Sequence, residues 1–346
     1  MDYFKLLNLS KEPFSDSPDP EFYFDSKQHV QCLQKIELSL RMRRGLSMVI
    51  GEVGSGKTTL CRQLIRTLEN DKKVKPHLIP FPSFSSPSDF LATVAELFGE
   101  YESKEGASDR QLKEIIGAYL LGQHVDQGNN VVLIIDEGEK LPEFCLEILR
   151  EFLNYESGEH KSLQIVIFAQ SGFEQVLRRY KSLTDRIDSY CVLCPLDFQQ
   201  TRAMIRFRLK QASEDESKKR PCLFGFFALW CIYRASGGYP RKIIQLCHQM
   251  ILALIIKNRS KAGWSEGRHC IREVFPERAR RWQRIRIGVL ACSLAASILF
   301  ILVPEKGKTM RPLERGKIPS YSPIVGGEIE VKPMRVGGRI SIRSSR

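Results

Sequence analysis

The sequence predicts an α/β domain with a parallel β-sheet covered by helices on both faces, followed by a small helical domain and one transmembrane helix. Three observations predict this. Between residues 46 and 195, short apolar runs alternate with amphipathic helical patterns, as in a doubly wound sheet. From Asp197 onward the pattern is helical only. Residues 287–303 then form a run of 17 residues without charge, almost long enough to cross a bilayer.

These patterns divide the chain into six segments. They are an N-terminal strap and helix (1–45), the α/β domain (46–195), the helical domain (196–277), a basic juxtamembrane segment (278–286), the membrane helix (287–303) and a disordered basic tail (304–346). The expected strands are 46–50, 77–81, 131–135, 163–169 and 190–193. The expected helices are 27–43, 60–68, 89–98 with Ser88 as N-cap, 109–124, 142–155, 173–180, 199–212, 223–235 and 241–257.

A glycine-rich motif joins the first strand to the helix that follows it. Its residues are Gly51, Glu52, Val53, Gly54, Ser55, Gly56, Lys57, Thr58 and Thr59, which fit the phosphate-loop pattern G-x-x-x-x-G-K-[ST]. Glycines let successive backbone N–H groups point at a phosphate, and the helix N-terminus adds partial positive charge. We therefore expect ATP here, with Lys57 at the β- and γ-phosphates and Thr58 as a Mg²⁺ ligand.

A second motif, Asp136-Glu137, directly follows the apolar strand 131–135. Carboxylates at the C-terminal end of a parallel strand lie where ligands bind in open α/β sheets. We expect Asp136 to hold Mg²⁺, directly or through water, and Glu137 to activate the water that attacks the γ-phosphate. An ordinary polar turn would explain the pair alone, but not its occurrence together with the phosphate loop.

The positive charge of the chain is unevenly placed. Residues 278–346 carry 15 Lys or Arg and 4 Asp or Glu, whereas residues 1–277 carry 38 and 36. The nearly neutral globular part gives no indication of nucleic-acid binding, so nucleic acid is not an expected partner. The ten cysteines are scattered, mostly through apolar patterns, which is typical of reduced, buried thiols and not of a disulfide framework.

Several stretches of residues 1–260 resemble protein A of the general (type II) secretion pathway and related ATPases of exopolysaccharide and exosortase loci. They are Pro13-Phe14 with residues 17–20, the loop GEVGSGKTTL, Ile135-Asp-Glu, LREFLNYE at 149–156, LQIVIFAQ at 163–170, Asp185-Arg-Ile, Pro195-Leu-Asp and GGYPRKI. The resemblance implies an AAA+ P-loop NTPase whose helical domain is a lid. It also implies homo-oligomers and inner-membrane secretion proteins as partners.

The resemblance assigns three further site residues. Gln170 would be sensor 1, Arg186 an arginine finger reaching a neighbouring subunit's nucleotide, and Arg241 sensor 2. The alternatives are a core amide for Gln170, a surface salt bridge for Arg186 and a helix-start charge for Arg241. The strap aromatics Tyr23 and Phe24 either cover the nucleotide base or simply pack on the core.

The chain also departs from the family pattern in two places. Residues 136–139 read Asp-Glu-Gly-Glu instead of Asp-Glu-Ala-Gln, which we expect to alter the subunit surface and not catalysis. Many family members carry a peptidoglycan-binding module after their membrane helix, whereas only about 43 residues follow it here, so we do not expect a cell-wall anchoring role.

The sequence therefore predicts a single-pass ATPase of the bacterial inner membrane that drives assembly or operation of an envelope export system. Because ATP is cytoplasmic, the ATPase domain is expected on the cytoplasmic side and the tail in the periplasm, with membrane lipid around 287–303. Two alternatives stay open: a DNA-binding ATPase of the transposition type, and a nucleotide-gated scaffold with little hydrolysis.

Overall fold

The computed structural model describes residues 7, 9–15, 20–100, 106–125, 128–157, 160–213, 223–259 and 261–274. Five strands form one parallel sheet in the order β2-β3-β6-β1-β7. They are β1 (Leu46–Gly51), β2 (Val74–Ile79), β3 (Asn130–Ile135), β6 (Leu163–Ala169) and β7 (Ile187–Leu193), while β4 (Glu156–Ser157) and β5 (His160–Lys161) form a separate hairpin. Every residue of the three central strands β1, β3 and β6 is buried, because helices cover both faces.

The two faces of the sheet have separate hydrophobic cores, as the alternation of side chains along a strand requires. Ile50 and Ile135 point to one face, whereas Val49 and Ile134 point to the other. The first face is covered mainly by α3 (Pro87–Leu97), α4 (Asp109–Val125), α5 (Glu143–Phe152), α6 (Phe173–Leu177) and α7 (Lys181–Thr184), and the second by α1 (Lys27–Arg41) and α2 (Lys57–Glu69). The predicted doubly wound α/β class is confirmed.

Several element boundaries differ from the sequence-based expectation by a few residues, and proline explains two of these differences. Strand β2 runs from Val74 to Ile79 and ends before Pro80, which has no N–H group to donate to a ladder; as an edge strand it still accommodates Pro76. Helix α3 is capped by Ser86, not Ser88: Pro87 occupies the first turn, and the Ser86 hydroxyl accepts the Asp89 N–H at 3.1 Å.

The lid consists of α8 (Phe198–Gln211), α9 (Phe226–Ser236), α10 (Pro240–Ile256) and α11 (Trp264–Val274). The first three were expected, and α11 was not. The apolar sides of the lid helices form a separate hydrophobic core, which includes Ile232, Leu246 and Met250. At the junction to the sheet, the Leu196 N–H donates to the Gly238 carbonyl at 2.9 Å.

The N-terminal strap packs into the lid, whereas the helix after it packs on the sheet. Leu9, Phe14 and Phe22 are buried in the lid core, and Arg208 donates to the Pro13 carbonyl at 2.9 Å. Helix α1 instead covers the sheet through Cys32, Ile36 and Leu40. The strap is therefore a second covalent connection between the two domains.

Among the described residues, no helix is both long and apolar enough to cross a bilayer. The predicted membrane segment 287–303, its basic flank and the tail lie outside the described residues. The described cysteines are all free, in agreement with the expectation of reduced thiols.

Candidate nucleotide site

The phosphate loop leaves β1 at Gly51 and enters α2 at Lys57. Its turn requires glycine at Gly56, whose φ of +103° is a left-handed conformation. The buried Ser55 hydroxyl oxygen has no hydrogen-bond partner among the described residues. A buried loop with an unused polar atom at a helix N-terminus suits a phosphate group, which supplies the missing acceptor.

Lys57 is nearly buried, with 8 % of its surface exposed. Its Nζ donates to the carbonyls of Gly51 at 2.8 Å and Glu52 at 3.2 Å. Burial lowers the pKa of this amine, and the carboxylates of Glu139 and Asp136 oppose that shift. The Lys57 ammonium therefore hydrogen-bonds to its own loop. The phosphate oxygens of a bound nucleotide would compete with the two loop carbonyls for these hydrogen bonds.

Thr58 and Asp136 meet as expected for a shared metal site. The Thr58 side chain lies beside the Asp136 carboxylate, and the Glu137 N–H donates to Asp136 Oδ1 at 2.9 Å. Burial raises the pKa of Asp136, while the nearby Thr58 hydroxyl and the Glu137 N–H lower it. A hydroxyl and a carboxylate side by side are the oxygen ligands that Mg²⁺ accepts while it keeps several waters. The residues fit the ion, which would supply charge neutralisation for the phosphates.

Glu137 has a backbone conformation that is unusual for a residue with a side chain, with φ 53° and ψ 40°. Such left-handed non-glycine residues cost about 1–3 kcal/mol and cluster at active sites. The Glu137 carboxylate is about one third exposed and forms an ion pair with Lys140. It therefore lies beside the metal-binding pair but is still accessible, as a base that orients water must be.

Glu52, Val53 and Thr59 of the loop have different surroundings. Glu52 accepts a hydrogen bond from the Ser171 hydroxyl, which ties the loop to the end of β6. The Val53 side chain is exposed, and Thr59 lies within the first turn of α2.

Gln170 is held by Glu139, a contact that sequence reasoning missed. The Glu139 carboxylate accepts the Gln170 backbone N–H at 3.0 Å and also its side-chain amide. The same carboxylate is the strongest of the charges acting on Lys57. Glu139, which departs from the family pattern, thus contacts a candidate sensor residue, and its effect on catalysis stays a prediction.

We expect two replacements of Glu139 to show whether this residue acts by positioning the Gln170 amide or through its negative charge. Glu139→Ala should reduce kcat about tenfold because it frees the Gln170 amide, whereas Glu139→Gln keeps an acceptor and should stay within about twofold. Steady-state ATPase assays of both variants measure this difference. Glu143→Ala, which removes an exposed carboxylate of α5, is the control, and equal losses in both Glu139 variants would contradict the positioning role.

His29 of α1 contacts the backbone of the phosphate loop at Ser55 and Gly56. Its Nε2 lies 3.2 Å from the Ser55 carbonyl oxygen, and Nδ1 meets the Ser26 hydroxyl. A Cβ on Gly56 would lie 2.8 Å from the same Nε2. The Tyr23 ring packs edge-on against His29 at 6.5 Å between centroids. The strap thus reaches the loop through His29, while contact with a nucleotide base stays a prediction.

Burial lowers the pKa of His29 below its usual value. Between the pKa of His29 in the folded chain and its higher pKa in the unfolded chain, the unfolded chain binds more protons. The contribution of neutral His29 to the free energy of unfolding is therefore complete above about pH 6.5 and is lost as the pH falls below it. We expect the wild type to lose up to about 1.4 kcal/mol more stability per pH unit in that window than His29→Gln. Thermal unfolding at pH 7.5 and 5.5 measures this. His269→Gln, an exposed histidine, is the control, and parallel losses in wild type and His29→Gln would contradict the assignment.

Arg241 lies next to the loop, as a sensor 2 residue must. Its N–H donates to the Gly54 carbonyl at 3.3 Å, and a Cβ on Gly54 would lie 3.0 Å from the Arg241 Cβ. The side chain follows the Pro240 start of α10 and is exposed. The lid therefore contacts the phosphate loop directly, through the residue that was predicted.

Arg186 does not join the other candidates. It precedes β7, whose first residue pairs with Leu46 at the start of β1, while Leu193 pairs with Gly51 at the loop end. At about 3.3 Å per residue this places Arg186 roughly 17 Å from the phosphate loop. Its guanidinium donates to Asn154 Oδ1, and its other terminal nitrogen is buried without a partner among the described residues.

The fold and this arrangement define a P-loop nucleotide-binding protein with a helical lid. Residues 40–177 match the model of an AAA domain family. General secretion pathway protein A of Aeromonas hydrophila is 32 % identical over 264 residues, which are 75 % of this chain and 46 % of that protein. The chain spans about half the length of this relative. Residues 40–177 are thus similar to AAA domains, and three quarters of the chain is similar to general secretion pathway protein A.

Solved structures show the same fold. Cdc6p of Pyrobaculum aerophilum superposes with a TM-score of 0.60 at 15 % identity, covering 77 % of this chain and 72 % of that one. The ORC2 protein of Aeropyrum pernix, in ADPNP and ADP complexes, gives 0.55 at 15 % identity, with 76 % and 72 % covered. At this identity the likeness concerns the fold alone.

Proposed function

We propose that this chain is an inner-membrane ATPase that couples ATP hydrolysis to the assembly or operation of an envelope secretion system. The observation that carries the proposal is the contact of Thr58 with Asp136 beside Glu137, at the mouth of a loop that holds Lys57. This arrangement supplies the groups that phosphoryl transfer needs. The relation to general secretion pathway protein A supports the secretion role.

The residues divide the work of hydrolysis among themselves. The loop N–H groups and Lys57 bind the phosphates of ATP, and Thr58 with Asp136 would hold Mg²⁺, which neutralises phosphate charge. Glu137 accepts a proton from the attacking water. Gln170, fixed by Glu139, orients that water or the γ-phosphate, and Arg241 senses phosphate from the lid.

The membrane attachment rests on the uncharged run 287–303. At about 1.5 Å per residue it is roughly 26 Å long, slightly less than a bilayer core of about 30 Å, and Ile285 can extend it. Because the ATP site must be cytoplasmic, the tail after the run is periplasmic. Inner-membrane secretion proteins and further copies of the chain are the proposed partners.

Reporter fusions after Arg346 test this topology. Alkaline phosphatase is active only outside the cytoplasm, whereas green fluorescent protein exported in unfolded form stays dark there. We expect an active phosphatase and a dark fluorescent fusion in cells that express the full chain. The reverse pattern, or full-length protein that is soluble without detergent, would contradict the membrane anchor.

A further inference from the structure

One side of the lid exposes a cluster of aromatic rings, which we call the aromatic face. Its members are Phe198, Phe226, Phe227, Trp230 and Tyr233. Phe226 and Phe227 are 61 % and 64 % exposed, and Trp230 is 40 % exposed. The centroid of the Phe198 ring lies 5.5–5.7 Å from those of Phe226, Trp230 and Tyr233, so the rings form one continuous surface.

The aromatic face is not needed to hold the lid together. Helix α9 already buries Ala228, Leu229 and Ile232 in the lid core on its opposite side. Residues 226, 230 and 233 follow one another at helical spacing along the outer side. A contiguous exposed apolar surface of this kind marks an interaction site.

The helices around the aromatic face are mainly basic. Helices α8, α9 and α10 contain seven Lys or Arg and no Asp or Glu, although Arg208 is buried, Arg241 lies at the phosphate loop and Asp197 caps α8 next to Phe198. Arg202 lies one turn beyond Phe198 on α8, and Arg234 one turn beyond Trp230 on α9. Bulky rings with arginines beside them are the composition that binds an interface of acyl chains and anionic headgroups.

The lid is also the domain nearest in sequence to the proposed membrane anchor. Helix α11 ends at Val274, and the uncharged run begins at Ile287. The intervening residues, fully extended, reach at most about 45 Å. In a chain anchored in the membrane, the end of α11 would therefore lie within about 45 Å of the start of the anchor. This step rests on the proposed function.

We infer that the aromatic face docks the lid onto a bilayer surface that contains anionic phospholipid. Phe226, Phe227 and Trp230 enter the headgroup region, while Arg202 and Arg234 pair with lipid phosphates. Because the lid also carries Arg241 against the phosphate loop, docking would orient the lid relative to the nucleotide site.

The test uses the fluorescence of Trp230 in the full-length protein. Trp264→Phe and Trp282→Phe make it the single tryptophan, and the chain is placed in nanodiscs of phosphatidylcholine with or without phosphatidylglycerol. In anionic discs we expect lipid brominated near the headgroup to quench Trp230 and iodide quenching to fall about threefold relative to neutral discs. Arg202→Glu and Phe227→Ser should abolish both effects. Leu121→Ser, at an exposed apolar residue of α4, should change neither.

Two results would overturn docking while leaving the proposed function intact. One is an incorporated, ATP-hydrolysing protein whose Trp230 is equally open to iodide in both discs and is not quenched by lipid. The other is protection of Trp230 by a second copy or by duplex DNA without lipid quenching. Failure to enter nanodiscs would instead contradict the anchor. In that case docking is tested by co-sedimentation of the soluble chain with anionic vesicles. A chain that does not co-sediment with them would also overturn the docking proposal.

Discussion

Replacing Glu137 with glutamine is expected to leave ATP binding intact and to reduce hydrolysis about 10²–10⁴-fold, the usual contribution of a general base. The amide keeps the size and polarity of the side chain but cannot accept a proton from water. Residue 137 has a left-handed backbone directly after Asp136, and its carboxylate is about one third exposed and thus accessible to water.

Binding of a fluorescent ATP analogue and steady-state phosphate release, measured on one preparation, separate the two effects. Glu147→Gln is a close control, since Glu147 is also an exposed carboxylate paired with a basic residue three positions later. Hydrolysis by Glu137→Gln at the wild-type rate would show that another group activates water.

Replacing Arg186 with alanine is expected to leave ATP binding unchanged and to reduce hydrolysis about 10³–10⁵-fold, the range known for arginine fingers. Arg186 lies at the opposite end of β7 from its own phosphate loop. If it acts on a nucleotide, that nucleotide must therefore belong to a neighbouring subunit. For the same reason, specific activity should rise with protein concentration.

A mixing experiment distinguishes this role from a local one. Arg186→Ala has an intact ATP site, and Lys57→Ala has an intact finger, so an interface that pairs them should recover activity. Asn154→Ala removes the local hydrogen bond alone and should hydrolyse normally if the finger acts in trans. If neither concentration nor mixing changes the rate in nanodiscs, Arg186 only stabilises its own subunit.

The sequence predicts the sheet well because its central strands are continuous apolar runs. Residues 131–135 and 163–169 are buried on both faces, and each run leads directly to a site residue, Asp136 or Gln170. Asp136 and Thr58 lie close together because the strands are parallel, which brings the C-terminal ends of β1 and β3 to the same edge of the sheet.

Contacts between segments far apart in the chain could not be predicted in this way. His29 meets Ser55 and Glu139 meets Gln170 through tertiary packing, and no local periodicity signals either pair. The strap contains prolines and no regular apolar spacing, so its burial in the lid core was not visible. Helix α11 is mostly polar, and its few apolar residues do not reveal its position against α9 and α10.

The central claim is that ATP turnover by this chain serves an envelope secretion complex. The most direct test measures the ATPase rate of the full-length protein in nanodiscs, alone and with the membrane proteins that crosslink to it in its own cells. The account predicts slow turnover alone and a higher rate with those partners, both lost in Glu137→Gln. Bound ATP that is never hydrolysed, with or without the partners, would contradict it and identify a nucleotide-gated scaffold.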